Sequence, residues 1–337
     1  MKLAIAGATG LVGSTMLRVL EEHRFPVSTL LPAASARSVG TTVSFRGEAT
    51  AVLSMEAALA AKPDLALFSA GGEVSREWAP RFAEAGIPVI DNSSAFRMDS
   101  DVPLLVPEVN PQALKPSHRI IANPNCSTIQ LVVVLQPLHR AFGLRRVVVS
   151  TYQSVTGTGY KAVNQLKAET WNRLHPEAHT EVTRVYPHPI DINVLPHIDV
   201  FLENGYTKEE LKMMQETRKI MELPDLGITA TTVRVPVLGG HSESVNAEFN
   251  STLSLNEVRN LLREAPGVVL RDIPEQNIYP MPIDAQGKDA VFAGRLRLDE
   301  SRDNTLNLWI VADNLRKGAA SNAVQIAFLM LKNGWLG

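Results

Sequence analysis

The stretch "KLAIAGATGLVGSTMLRVLEEH", residues 2–23, decides the fold. It opens on a short apolar run ending in glycine and continues with Leu11, Met16, Leu17 and Leu20 near helical spacing, which reads as strand, tight turn, helix. Gly7, Gly10 and Gly13 occupy the turn. A backbone without side chains lets a pyrophosphate approach the helix N-terminus there, where free N–H groups and the helix dipole favour an anion.

The same plan recurs outward from this unit. "VSTLLPA" (27–33), "DLALFSAGG" (64–72), "IPVIDNSS" (87–94) and "RIIANPN" (119–125) are apolar segments ending in small or polar residues. "EVSREWAPRFAEAG" (73–86) is a helix closed by Gly86. Strands alternating with helices predict an α/β domain with a mostly parallel sheet, a Rossmann-type dinucleotide-binding fold whose ligands gather at the carboxyl ends of the strands. From "RRVVVSTYQSVTG" (145–157) to "TTVRVPVLGGHSESVNAEFNSTLSL" (231–255) the strands lengthen and become Val/Thr-rich. That pattern predicts a second, α+β domain built on a more antiparallel sheet with one solvated or helix-covered face. Thr207 and Glu210 fit a capping box, with Leu211, Met214 and Met221 as the apolar side of its helix. "RKGAASNAVQIAFLMLKNG" (316–334) reads as a helix packing back on the first domain. The domains expected are 1–125 with 314–337, and 126–313.

Composition bounds the function. The 337 residues are 45% hydrophobic with a net charge of −2, enough for a large core and without a cationic footprint for nucleic acid. The longest apolar runs, such as "LVVVL" (131–135), fall far short of the roughly 20 residues of a membrane span. One cysteine excludes an internal disulfide, and no separate secretory segment follows Met1 and Lys2, so the expected location is the cytoplasm. Residues 27–47 contain no Asp or Glu to hold a ribose 2′-hydroxyl. They offer "SARS" instead, where Arg37 flanked by Ser35 and Ser38 suits a 2′-phosphate, so NADP is preferred over NAD.

The single cysteine, Cys126, lies in "NPNCST" just before a helix expected over 127–138. A free cysteine is more often a small buried hydrophobe. At a helix N-terminus, however, the dipole favours the thiolate, and Asn123, Asn125, Ser127 and Thr128 make a polar rim able to supply oxyanion donors. A nucleophile is the better reading. "PHPIDINVLPHID" (187–199) contains His188, Asp191, His197 and Asp199, but their spacing fits no standard metal-ligand pattern, so a surface loop and no metal are expected.

"GATGLVG", "SSAFRMD", "VPEVN", "NPNCST", "QSVTGTG" and "VRVPVLGGHSES" occur in this order along nearly the whole chain. Together they resemble the aspartate-β-semialdehyde dehydrogenase family. The resemblance implies reversible, NADPH-dependent reductive dephosphorylation of L-4-aspartyl phosphate to L-aspartate-4-semialdehyde on the route to lysine, threonine and methionine. It implies a homodimer or tetramer joined through the second domain's sheet. Cys126 would be the nucleophile, Gln153 the residue orienting it, and His241 the acid/base catalyst. Arg234, seven residues before His241 and expected on the same strand, would hold the substrate α-carboxylate. Arg97, with Asn92, Ser94 and Lys219, would hold phosphate, and Glu216 the substrate amino group. Asn125 completes the substrate set. The cofactor set is Gly7, Thr9, Gly10, Leu11, Val12, Gly13, Ser35, Arg37, Ser38, Ser69, Gly71, Gly157 and Asn314. The loop "SVTGTGYKA" departs from the "AVSGAG" of many relatives, so its cofactor contact is open. N-acetyl-γ-glutamyl-phosphate reductase is a rival with a "PGCY"-like cysteine motif where this chain has "PNCS". A thiol hydrolase or acyltransferase would not need the glycine-rich turn, and a non-catalytic NADP sensor would not need Cys126, Gln153, Arg234 and His241 as a set.

Overall fold

A computed structural model describes residues 1–336. The chain forms two compact units, Met1–Asn125 with the segment from Gly318 onward, and Cys126–Lys317. The first contains β1 (Lys2–Ala6), α1 (Leu11–Glu22), β2 (Thr29–Ala33), β3 (Thr42–Phe45), β4 (Glu48–Ala51), α2 (Met55–Ala60), β5 (Leu65–Phe68), α3 (Gly72–Glu84), β6 (Val89–Asp91) and β7 (Ile120–Ala122). The second contains α4 (Cys126–Phe142), β8 (Leu144–Ser154), α5 (Tyr160–Leu174), α6 (Lys208–Met221), β9 (Gly227–Val235), β10 (His241–Phe249), α7 (Leu255–Glu264), β11 (Val268–Leu270), α8 (Pro282–Ala285), β12 (Val291–Leu298) and β13 (Thr305–Ala312). A last helix, α9 (Ser321–Lys332), belongs to the first unit.

The first sheet is parallel throughout, in the order β2-β1-β5-β6-β7. Its strands are apolar at successive positions because both faces are covered. Leu3 and Ile5 pack with Met16 and Leu20 of α1 and with Val324 and Ala327 of α9. Ala4, Ala6 and Phe68 pack on the opposite face with Trp78 and Phe82 of α3. Chain order reverses between β1 and β5, which makes their carboxyl ends the topological switch point where such sheets bind ligands.

The glycines of the first turn are sterically required. Gly7 has φ +81°, and a Cβ on it would lie 2.3 Å from the Ser69 carbonyl oxygen; one on Gly13 would lie 2.1 Å from the Gly7 carbonyl oxygen. We therefore expect Gly13→Ala to destabilise this unit by about 2–4 kcal/mol, whereas Gly72→Ala, facing only the mobile tip of Arg76 at 3.5 Å, changes stability by under about 0.5 kcal/mol. Urea midpoints of the two variants test the contrast; equal midpoints would contradict it. The β3–β4 hairpin was not foreseen. Its turn is Arg46–Gly47, both at positive φ, a two-residue connection whose short flanking strands lack a clear apolar alternation.

The second sheet has the order β11-β12-β13-β10-β8-β9. It is antiparallel except for the β8/β9 and β11/β12 pairs. Helix α4 packs across β8, β10, β12 and β13, with α6 and α7 beside it. The opposite face carries Tyr152 and Trp309, 5.4 Å apart and only partly covered.

Four expectations are corrected. Arg234 is the penultimate residue of β9 and His241 opens β10, so they lie on different strands: Pro236 and the positive-φ glycines Gly239 and Gly240 break the run between them. Residues 314–317 fall in the second unit, held by Asp313, whose Oδ1 accepts from the Leu315 and Arg316 amides, and by an Arg316–Asp289 ion pair. Helix α4 begins at Cys126 itself and runs to Phe142, past Pro137. The capping box on α6 is formed, but its buried side is Met213, Met214 and Met221, with Leu211 half-buried. Among the described residues no helix is long and apolar enough to cross a membrane.

Candidate active site

In the first unit the sequence-selected residues collect at the carboxyl ends of the parallel strands. Gly7, Thr9 and Gly10 follow β1, and Leu11, Val12 and Gly13 open α1. Ser35, Arg37 and Ser38 follow β2 in an exposed turn, while Ser69 and Gly71 follow β5. Asn92, Ser94 and Arg97 follow β6, and Asn125 follows β7. Helix α1 has no side-chain cap and no acidic residue in its first turn, which leaves its N–H groups for an anion. Below Asn92, the buried Asp91 accepts from Ser75 Oγ (2.7 Å), Ser93 Oγ (2.6 Å) and the Ser93 amide (3.0 Å). Asn123 Nδ2 donates to Asn92 Oδ1 at 2.7 Å, and Arg97 Nη2 to the Asn92 carbonyl at 2.9 Å. Asp91 and Asn123 thus fix this loop; Asp91 is signalled only by its place directly before "NSS", and Asn123, expected on the rim of Cys126, donates its side-chain amide to Asn92.

In the second unit, chain direction determines what lies near Cys126. Helix α4 turns through Gly143 into β8, and β10 runs antiparallel to β8, so α4 and β10 run the same way. Their carboxyl ends are joined by the Phe142–Phe249 edge contact (6.0 Å) and by the Ser251 amide donating to the Phe142 carbonyl. From there α4 extends about 24 Å to Cys126 and β10 about 26 Å to His241. Cys126 and His241 therefore share the opposite end of the unit.

Strand register supplies the rest. Gln153 pairs with Arg234 on β9, and the Ser242–Tyr152 pairing puts His241 opposite Gln153 on β10. Arg234, Gln153 and His241 form one row across three adjacent strands, all three buried at 4%, 1% and 0% exposure. Ser154, absent from the sequence-based set, ties the row together. Its amide donates to His241 Nδ1 (3.1 Å), its carbonyl accepts from Arg234 Nη1 (2.6 Å), and its Oγ accepts from the Gly239 amide (2.9 Å). Thr156 Oγ1 continues to Asn314 Oδ1 at 3.1 Å. With Nδ1 occupied as an acceptor, the proton of the neutral imidazole sits on Nε2, which has no partner among the described residues. Burial, then the Arg234 charge, hold this imidazole well below its ordinary value, with the Gly240 backbone acting the other way.

Gly157 closes this corner. A Cβ there would lie 3.0 Å from Arg234 Nη1 and 3.2 Å from His241 Nε2. Gly157→Ala is expected to push both groups aside and lower kcat/KM about 10²-fold with little loss of stability. Steady-state kinetics beside a melting curve checks this, and unchanged kinetics would contradict it. Gln153 Nε2 donates to Thr151 Oγ1 (3.3 Å) and reaches Glu209 Oε1 (3.4 Å), whose other oxygen meets Lys212 Nζ at 3.4 Å. Glu209 is thus a second missed residue; the capping-box reading absorbed its neighbour Glu210 and hid it. Glu216, two helical turns beyond Glu209 on α6, is 1% exposed and Lys219 is half-buried, so they are not an ordinary surface pair.

The comparisons with known proteins follow the same division. Residues 2–117 match the model of the semialdehyde dehydrogenase NAD binding domain, and residues 135–317 that of the semialdehyde dehydrogenase dimerisation domain. The fold and site therefore define an oxidoreductase of the semialdehyde dehydrogenase class. Aspartate-semialdehyde dehydrogenase of Aquifex aeolicus is 54% identical over 99% of this chain and 98% of its own, and that of Bacillus subtilis 49% identical over 97% and 96%. The crystal structure of aspartate semialdehyde dehydrogenase II from Vibrio cholerae complexed with ASA is 46% identical, covers 98% of each chain and superposes with a TM-score of 0.94. The chain belongs to the aspartate-semialdehyde dehydrogenase family.

Proposed function

We propose that the chain interconverts L-4-aspartyl phosphate and L-aspartate-4-semialdehyde with NADP(H), through a thioester on Cys126, in the synthesis of lysine, threonine and methionine. The observation that carries this reading is the Arg234–Gln153–His241 row at the end of the unit where the only thiol opens α4. In the reductive direction Cys126 Sγ adds to the acyl carbon of the acyl phosphate, and the carbon–oxygen bond to phosphate breaks. The first-turn N–H groups of α4 and the Nε2–H of His241 donate to the oxygen that carries the developing charge. Arg97, with Asn92, Ser94 and Lys219, is assigned to the departing phosphate, and Arg234 pairs with the α-carboxylate in the planar geometry a guanidinium offers. Glu216 takes the amino group, Gln153 orients thiol and substrate, and Asn125 borders them.

Bound NADP(H) supplies the hydride chemistry. The residues that would hold it fit: Gly7 and Gly13 let the β1–α1 turn close tightly on the Ser69 and Gly7 carbonyls, and α1 opens uncapped behind that turn. Arg37 with Ser35 and Ser38 selects the 2′-phosphate, while Ser69, Gly71, Gly157 and Asn314 complete the contact. The dimerisation-domain match and the partly uncovered face bearing Tyr152 and Trp309 support assembly through the second sheet as a homodimer, and the reading places the enzyme in the cytoplasm. The test is NADPH formation from NADP and L-aspartate-4-semialdehyde with and without inorganic phosphate. Phosphate-dependent reduction supports the reading; equal rates with N-acetylglutamate semialdehyde, or none with either aldehyde, overturn it.

A further inference from the structure

One row below the catalytic row, on the same face of the sheet, β10 carries Glu243. It pairs with Thr151 of β8 on one side and Ile310 of β13 on the other. The side chain is fully buried. On α4, Gln130 is also buried, at 1% exposure, and lies four residues after Cys126, so it shares that residue's side of the helix one turn on. The parallel run of α4 and β10 brings the two levels together: Gln130 is about 6 Å along the helix from Cys126, and Glu243 about 7 Å along the strand from His241. The Gln130 amide is the polar group that acts on the Glu243 carboxyl. Neither carboxyl oxygen and neither amide atom makes a hydrogen bond to any of the described residues, so two buried polar groups stand at one level of the unit without a partner.

We propose that Glu243 and Gln130 form a buried acid–amide pair that positions the first turn of α4, and with it Cys126, against Gln153 and His241. The inference rests on reading those three residues as the reacting set. An isolated carboxylate at this depth would be costly, whereas a carboxylic acid can donate its proton to the Gln130 carbonyl and accept from its NH₂. Among the described residues, burial and the Gln130 amide are what act on this carboxyl, with no cation among them. Thr151 and Ile310 are uncharged, and the titratable groups of α4 and β10 at this end are Cys126 and His241. Burial accordingly pushes the Glu243 carboxyl well above its ordinary range, with the Gln130 amide acting the other way. Thr151, the register partner of Glu243 on β8, accepts from Gln153 Nε2 in the row above. Glu243 is thus a positioning residue and touches no reacting atom.

The test compares the full-length wild type with E243Q and E243L in three measurements. The first is the pH dependence of Cys126 alkylation by iodoacetamide without substrate, which reports on the thiol whether or not the assigned reaction is right. The second is kcat against KM, and the third is an infrared difference spectrum of wild type against E243Q at neutral pH. E243L is expected to shift the alkylation profile and lower kcat at least tenfold with KM within about twofold, while the amide of E243Q restores both. The wild type should show the carbonyl stretch of a protonated carboxyl that E243Q lacks. Stability adds a signed check that E243L need not fold to supply. Above pH 4.5 the unfolded chain releases the Glu243 proton and the folded chain keeps it. The folding equilibrium of wild type relative to E243Q then falls by up to about tenfold per pH unit until the folded carboxyl ionises. Wild-type alkylation and kcat in E243L, loss in E243Q equal to that in E243L, a missing carboxyl band, or parallel stability curves would each overturn the proposal.

Discussion

Cys126→Ala is expected to lower phosphate-dependent reduction of NADP by L-aspartate-4-semialdehyde about 10⁴-fold or more, with NADP affinity unchanged. The chain has no second thiol to substitute. Neither Ser127 nor Thr128 offers an equivalent, because a hydroxyl is a far weaker nucleophile near neutral pH than a thiolate. The fold should hardly respond. Alanine is the best helix former, and the site is the first residue of a 17-residue helix whose buried side runs from Ile129 to Phe142. The measurement is the steady-state rate beside an NADP titration and a melting curve. A variant that retains a hundredth of wild-type activity would remove Cys126 from the covalent role.

His241→Asn is expected to lower kcat about 10²- to 10⁴-fold while KM for the aldehyde changes much less. The Ser154 amide leaves only Nε2 to face a reacting group, and asparagine cannot carry a donor to that point with the same reach. The substitution has a second, signed consequence. The imidazole is held neutral, so as pH falls through about 6.5 the unfolded chain takes up a proton that the folded chain refuses, and stability drops toward acid. His241→Asn removes that contribution, so its stability should fall less than that of wild type between about pH 6.5 and 5. Urea titrations at several pH values measure the difference. A variant with wild-type kcat, or one with a steeper acid loss, would contradict the account.

The first unit was readable because its strands end in residues that cannot serve elsewhere. Gly7 and Gly13 must be glycine, and the apolar runs of β1 and β5 are continuous because helices cover both faces. The second unit was readable only in outline. A Val/Thr-rich run marks a strand but not its partners, so "VRVPVLGGHSES" looked like one strand and proved to be two that flank β8. That division explains the site better than the original reading: only with β9 and β10 on opposite sides of β8 do Arg234 and His241 both border Gln153. The contacts of Ser154 to His241 and Arg234 are made by its backbone, which carries no side-chain signal in the sequence. Glu209 and Glu243 escaped notice because a charged residue in a helix or strand is ordinarily a solvated one. Only the packed structure reveals that both are buried.

The most direct test of the account is a single turnover. Enzyme mixed with excess L-aspartate-4-semialdehyde and NADP in the absence of phosphate should produce a burst of NADPH approaching one per active site and then stall. Mass spectrometry of the quenched protein should place an acyl adduct on the peptide containing Cys126, and added phosphate should discharge it and restart turnover. Continuous NADPH formation without phosphate, or a burst with Cys126 unmodified, would contradict the thioester route.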